Sequence, residues 1–164
     1  MIFAVHTSAC RKIDEKLIFA IVPKMLRFPN PNNNAWISRY NQLIEDVESG
    51  KLVFNFVPVD KTKFSDRESY RIANIRAGKL TLHHIIPKKI DPSLEKFKEN
   101  FIYVPFKEHM DLHYYLWKAD KRYAPHLRFG AVFGRKYGLW DFPGGNSEYE
   151  QMKRDCVECR KIRV

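Results

Sequence analysis

Cysteine is scarce in this chain of 164 residues: Cys10, Cys156 and Cys159 are all there is, unevenly placed. Three such residues cannot staple a small secreted fold, so a disulfide scaffold is excluded and a reducing, cytoplasmic setting is the expectation. Long apolar runs are missing too. The longest, Leu17 to Val22, spans six residues between Lys16 and Lys24, against the roughly twenty that a membrane-crossing helix needs. Nor is there a basic-then-apolar export signal at the start. No membrane partner is expected.

What is present is a core and an excess of positive charge. At 45% hydrophobic and 14% aromatic residues the chain can bury enough surface to fold, which excludes global disorder. The net charge is +10 and unevenly spread. Residues 1–79 carry 13 basic and 8 acidic side chains, residues 80–120 carry 6 of each, and residues 121–164 carry 10 and 5. A neutral centre between two basic flanks suits a polyanion gripped at its edges, although a solubilising basic surface reads the same way. The expected divisions follow these segments closely: a basic N-terminal region over residues 1–79, a central core over 80–119, and a basic C-terminal loop and helix over 120–164.

Three stretches predict capped helices. The first runs from about Trp36 to Ser49, with Trp36, Tyr40, Leu43, Ile44 and Val47 on one stripe, Asn34 as N-cap and Gly50 as the stop. Ser65-Asp66-Arg67-Glu68 and Ser147-Glu148-Tyr149-Glu150 read as capping boxes, the former opening a helix that ends at Gly78 and the latter a helix running towards the C-terminus. Lys51 to Val59 (KLVFNFVPV) is β-branched and aromatic and predicts a strand, giving a short N-terminal sheet region. Ile13 to Phe28 is ambiguous, helical in composition but interrupted by Pro23. Residues 29–34 (PNPNNN) form a loop or linker. Residues 130–146 hold five of the seven glycines and predict an irregular, partly buried surface loop.

The centre is rich in histidine. His83, His84, His109 and His113 fall within 31 residues, in the contexts LTLHHIIP and NFIYVPFKEHMDLHYYLW. A short strand from Leu80 to Ile86 halted by Pro87, a second strand from Phe101 to Val104 after Asn100, and a helix from about Phe106 to Ala119 opened by Pro105 follow from these patterns. On that helix His109 and His113 are four apart, so both rings leave one face about 6 Å from each other, a spacing suited to two ligands of one metal ion. His83 and His84 are neighbours on a strand and point to opposite sides. One can complete a three-histidine site while the other faces a substrate, and imidazole, with its ordinary pKa of about 6.5, suits a general base.

HHIIP, followed by Asn100 and then by EHMDLH, resembles the HNH signature of the ββα-metal nucleases. The nine-residue interval from Asn100 to His109 is similar to that family's. The paired histidines followed by HxxxH resemble the colicin DNases, and the helix segment resembles free-standing HNH endonucleases of phages and mobile introns. The resemblance covers residues 80–119 and implies an α+β fold built on a central ββα-metal motif with additional helices. It also implies that His84 is the general base, that His83, His109 and His113 bind one divalent ion, and that Asn100 holds the turn between the strands and orients the His84 ring. Two features depart from the wider family: His83 replaces the common Asp, and no CxxC pairs flank the core. Cellular abundance points to Mg2+ as the ion, and imidazole ligands to Mn2+, Ni2+ or Zn2+.

The expected activity is metal-dependent hydrolysis of phosphodiesters in double-stranded DNA, of homing or phage type. A restriction-type endonuclease or a nuclease toxin would use the same core, and the non-enzymatic alternative is a basic nucleic-acid-binding protein keeping the ββα element for structure. A monomer would most simply nick one strand. Lys88 and Lys89, past the Pro87 turn, and Arg135 and Lys136 in GRKYG are candidate phosphate contacts, each equally readable as an exposed basic turn. Tyr149, Met152, Cys156 and Cys159 follow a core stripe rather than a zinc pattern. His6 and His126 are isolated and receive no role.

Overall fold

Asn34 starts the first helix as the spacing requires: its side chain accepts the backbone N–H groups of Trp36 at 2.9 Å and Ile37 at 3.3 Å. Helix α1 then runs over Ala35–Glu48 and buries Ile37, Tyr40 and Ile44. The computed structural model describes residues 25–161. The stretch Ile13 to Phe28 lies outside the described residues except for its last four, which are not helical, and His6 and Cys10 lie outside as well.

The centre has the expected order. Strands β1, Thr81–His84, and β2, Phe101–Val104, pair antiparallel with Thr81 opposite Val104 and His83 opposite Ile102. Alternation sends Thr81, His83, Ile102 and Val104 inwards, while Leu82 and Tyr103 face solvent. Helix α3, Phe106–Ala119, follows at once; helix α2, Arg67–Arg76, precedes the strands. Leu112 and Leu116 of α3 join Ile85, Ile102, Val104 and the α1 stripe in one apolar cluster. Its opposite face, Phe106, Met110, Tyr114 and Trp117, joins a second cluster with helices α4, Ala124–Tyr137, and α5, Gly145–Lys161. Helix α3 is therefore the shared wall of two cores, which leaves its histidine positions facing the strands. The fold is α+β.

Three expectations fail for physical reasons. Lys51 to Val59 forms no strand. Val53 and Val57 are largely exposed, and Val57 donates a single backbone bond, to Ala77, at 3.3 Å. β-Propensity reflects packing on a neighbouring strand, and none lies beside this segment among the described residues. The glycine-rich stretch 130–146 is not a loop through most of its length, because α4 continues to Tyr137. A Cβ on Gly130 would stand 2.3 Å from Met110 Sδ, and one on Gly134 would stand 3.1 Å from Trp140 Cβ. These glycines allow close helix packing. Finally, Asp66 rather than Ser65 caps α2, accepting from Ser69 N at 2.8 Å, and α5 begins two residues before Ser147.

Met152, Cys156 and Cys159 are buried along α5 and both thiols are free. A buried carboxylate links α3 to α5 in this second core: Trp117 Nε1 donates to Asp155 Oδ2 at 2.8 Å, and Gln151 Nε2, one turn before Asp155 on α5, donates to its Oδ1 at 2.8 Å. Asp155 is buried, so Asp155→Ala leaves an indole N–H without a partner. We expect a loss of about 1–3 kcal/mol, measured as a lower urea midpoint at unchanged slope.

Candidate metal centre

Three imidazoles converge where β1 meets α3. The ring centroids of His83, His109 and His113 form a nearly equilateral triangle, 4.8–4.9 Å on each side. Each ring offers one nitrogen lying within 4.8 Å of the other two, so this group could hold a metal ion. His109 Nε2 and His113 Nε2 are 3.0 Å apart. Two nitrogens that share one ion at about 2.0–2.1 Å stand roughly 3 Å apart in octahedral and about 3.4 Å apart in tetrahedral coordination, so that pair lies within ligand distance of one ion.

Hydrogen bonds to the outer edges of two rings decide which nitrogens are available. The Tyr40 hydroxyl donates to Ile85 O at 2.7 Å and lies 2.8 Å from His83 Nε2. With its proton so committed, Tyr40 accepts from His83 Nε2–H, which leaves Nδ1 with the lone pair. Thr81 repeats the device: its hydroxyl donates to Val104 O at 3.0 Å and accepts from His109 Nδ1–H at 2.8 Å. The lone pair of His109 is then on Nε2, facing His113. Among the described residues His83 Nδ1 and His113 Nδ1 are buried without a hydrogen-bond partner, a costly state that a bound cation relieves at His83. Outer-edge partners of this kind fix the tautomer and orientation of metal-binding histidines.

Electrostatics keep the cluster uncharged. Burial holds His83 and His113 well below the ordinary histidine value, with neighbouring imidazoles adding to the effect. Burial, then the proximity of His84, lowers His109 to about 4. Burial also raises Tyr40 well above its ordinary value, so it remains a hydroxyl. Neutral imidazole is the form that binds a metal.

A cavity of about 350 Å3 opens on the cluster and is lined by all four central histidines together with Lys88 and Lys89. His84 lies on the outward side of β1, opposite Phe101 in the register, with its ring edge-on to Phe101 at 5.0 Å. Lys88 pairs with Glu95 at 3.0 Å on this rim.

Asn100 differs in part from expectation. It is fully buried before β2, accepts from Ile86 N at 2.7 Å, and donates to Ile86 O at 2.9 Å and Leu94 O at 3.1 Å. It ties the turn between the strands together, but its side-chain bonds go to backbone groups and not to the His84 ring. Arg135 and Lys136 are not brought to the cavity. They form the last turn of α4, where Arg135 donates to Asn146 Oδ1 at 2.9 Å and Lys136 pairs with Glu68 at 3.6 Å.

Two participants had no sequence signal. Tyr40 arrives from 43 residues upstream. His126, on α4, lines the cavity with its ring stacked on His113 at a centroid distance of 6.3 Å. Thr81, by contrast, was legible in principle, since two residues along a strand return to the same face.

Two outcomes follow for the metal-free protein. Tyr40→Phe removes the acceptor that sets the His83 tautomer, and metal affinity should fall roughly 10- to 100-fold by calorimetry. Secondly, the unfolded chain takes up protons below a pH of about 6.5 that the folded cluster refuses. Stability should therefore decline as the pH drops from about 6.5 towards 4, by up to about 1.4 kcal/mol per pH unit for each histidine involved. Urea denaturation from pH 7.5 to 5 in chelator measures it.

No family model, curated protein or solved structure matches the chain.

Proposed function

We propose that the protein is a metal-dependent endonuclease of the HNH type that hydrolyses phosphodiester bonds in double-stranded DNA. The observation that supports this best is the convergence of His83, His109 and His113 at ligand distance in the same cavity as His84. The strand–strand–helix order, the buried Asn100 that closes the turn and the net charge of +10 agree with it.

Phosphodiester hydrolysis needs an activated water, relief of the charge growing on phosphorus, and help for the departing alkoxide. A divalent ion held by His83, His109 and His113 would supply positive charge for the phosphate oxygens and the leaving group, undiminished by its neutral ligands. Tyr40 and Thr81 aim the His83 and His109 lone pairs inwards before any ligand arrives. His84 is outside that ligand set, half-exposed at the cavity, and takes the proton from the attacking water. Its ring is held by the edge-on contact with Phe101. Lys89 and, once released from Glu95, Lys88 stand where they can neutralise phosphates next to the reacting one.

The test is supercoiled plasmid incubated with purified protein and Mg2+, Mn2+, Ni2+ or Zn2+. Relaxed circles are the expected product. His84→Ala should lower the rate by about 10²- to 10⁴-fold while metal affinity stays nearly unchanged. His113→Ala should weaken metal binding instead, and excess metal should restore part of the rate, because mass action refills a weakened site but cannot replace a base. Absence of cleavage with every ion overturns the proposal.

A further inference from the structure

A second cavity, of about 410 Å3, lies beside the first. Arg67, Tyr70, Arg71 and Asn74 line it from one face of α2, joined by Lys79 and Thr81. We propose that this cavity is a phosphate-binding subsite that grips the backbone of duplex DNA away from the bond being cut. The inference rests on the endonuclease reading and extends it to where the substrate lies.

Three features point there. The first is charge of one sign. Arg67, Arg71 and Lys79 form no ion pair among the described residues, whereas Lys107, Lys118, Lys136 and Lys153 each reach a carboxylate. The nearest acids along the chain are engaged elsewhere: Asp66 caps α2 through Ser69 N, and Glu68 accepts from the Tyr137 hydroxyl and pairs with Lys136. No acidic side chain lines the cavity among the described residues. The second feature is pre-organisation. The Arg71 guanidinium rests 4.5 Å over the Phe133 ring, which positions the group while its N–H edges remain available to a planar or tetrahedral oxyanion.

The third feature is continuity. Thr81 lines this cavity, and the hydroxyl of Thr81 accepts from His109 at 2.8 Å. One hydrogen bond thus separates the basic cavity from the imidazole cluster. A small anion would have no reason to prefer this place, but a polyanion seated at the cluster meets it as the neighbouring patch. Cations that neutralise phosphates release condensed counterions, so each contact adds nearly one unit to the salt dependence of binding.

The experiment compares the triple variant Arg67→Ala/Arg71→Ala/Lys79→Ala with a charge-matched control, Lys153→Ala/Arg154→Ala/Lys161→Ala on α5. Affinity for a labelled duplex oligonucleotide of mixed sequence is measured in chelator across a salt series, alongside melting temperature and metal affinity. The cavity variant should lower the slope of log affinity against log salt by about two to three, with metal affinity retained, while the control keeps the wild-type slope. Arg67→Gln, at an exposed helix position, should by itself lower the slope by about one and decides the matter where the triple variant melts early. Equal falls in both triple variants, or no fall in the cavity variant, overturn the subsite and leave the endonuclease reading standing. A wild-type protein that does not bind the duplex overturns both.

Discussion

A ring nitrogen taken out of water must find a partner, and burying His83 constrains almost everything around it. Its Nε2–H needs an acceptor, which Tyr40 provides only if α1 crosses behind β1 at that level. The Tyr40 hydroxyl is free to accept because its own proton goes to Ile85 O, the first carbonyl past the strand. The other nitrogen faces His109 and His113, so α3 must present that face and no other. An unsatisfied buried polar group costs about 1–3 kcal/mol, comparable to a large share of a domain's net stability. The apolar stripes of α1 and α3 and the inward residues of the two strands pack in an arrangement that gives His83 Nε2 its partner and leaves His83 Nδ1 to a ligand at the cluster.

Asn100 does for the backbone what Tyr40 does for the ring. Between β1 and β2 the chain makes a long excursion with short 3-10 turns and little apolar burial of its own. Two hydrogen bonds donated by the Asn100 side chain, one that it accepts from Ile86 N, and the backbone bond from Ile85 N to Asn100 O, at 2.9 Å, tie both ends of that excursion together. Pro87, Lys88 and Lys89 are thereby held at the mouth of the cavity. The Asn100 side chain bonds to Ile86 and Leu94, and the ring contact to His84 comes from Phe101, its neighbour in sequence.

How legible each part was depends on the range of the interactions that decide it. The strand Phe101–Val104 and the helix Phe106–Ala119 matched expectation to the residue, because Pro105 and the change of apolar period mark their boundary locally. The segment Lys51 to Val59 and the glycines of α4 depart from expectation because their local signals have two meanings. A β-branched run becomes a strand only beside another strand, and glycine serves a turn or a close helix contact according to what lies opposite. Met110, Phe106 and Trp140 stand opposite Gly130 and Gly134, and nothing near in sequence announces them.

The amino-acid order alone determined that His109 and His113 share a helical face, that His83 and His84 diverge, and that a strand–strand–helix unit joins them. Those relations follow from the fixed repeats of strand and helix over a few residues. Only the tertiary structure decided that Tyr40 and Thr81 select the lone pairs, that His126 stacks on His113, that Arg135 and Lys136 stay away from the cavity, and that Arg67, Arg71 and Lys79 gather beside it. Each depends on which faces of α1, α2 and α4 pack against the centre. That packing is chosen by the burial of whole apolar surfaces, a property spread over the chain and not written in the spacing of any motif.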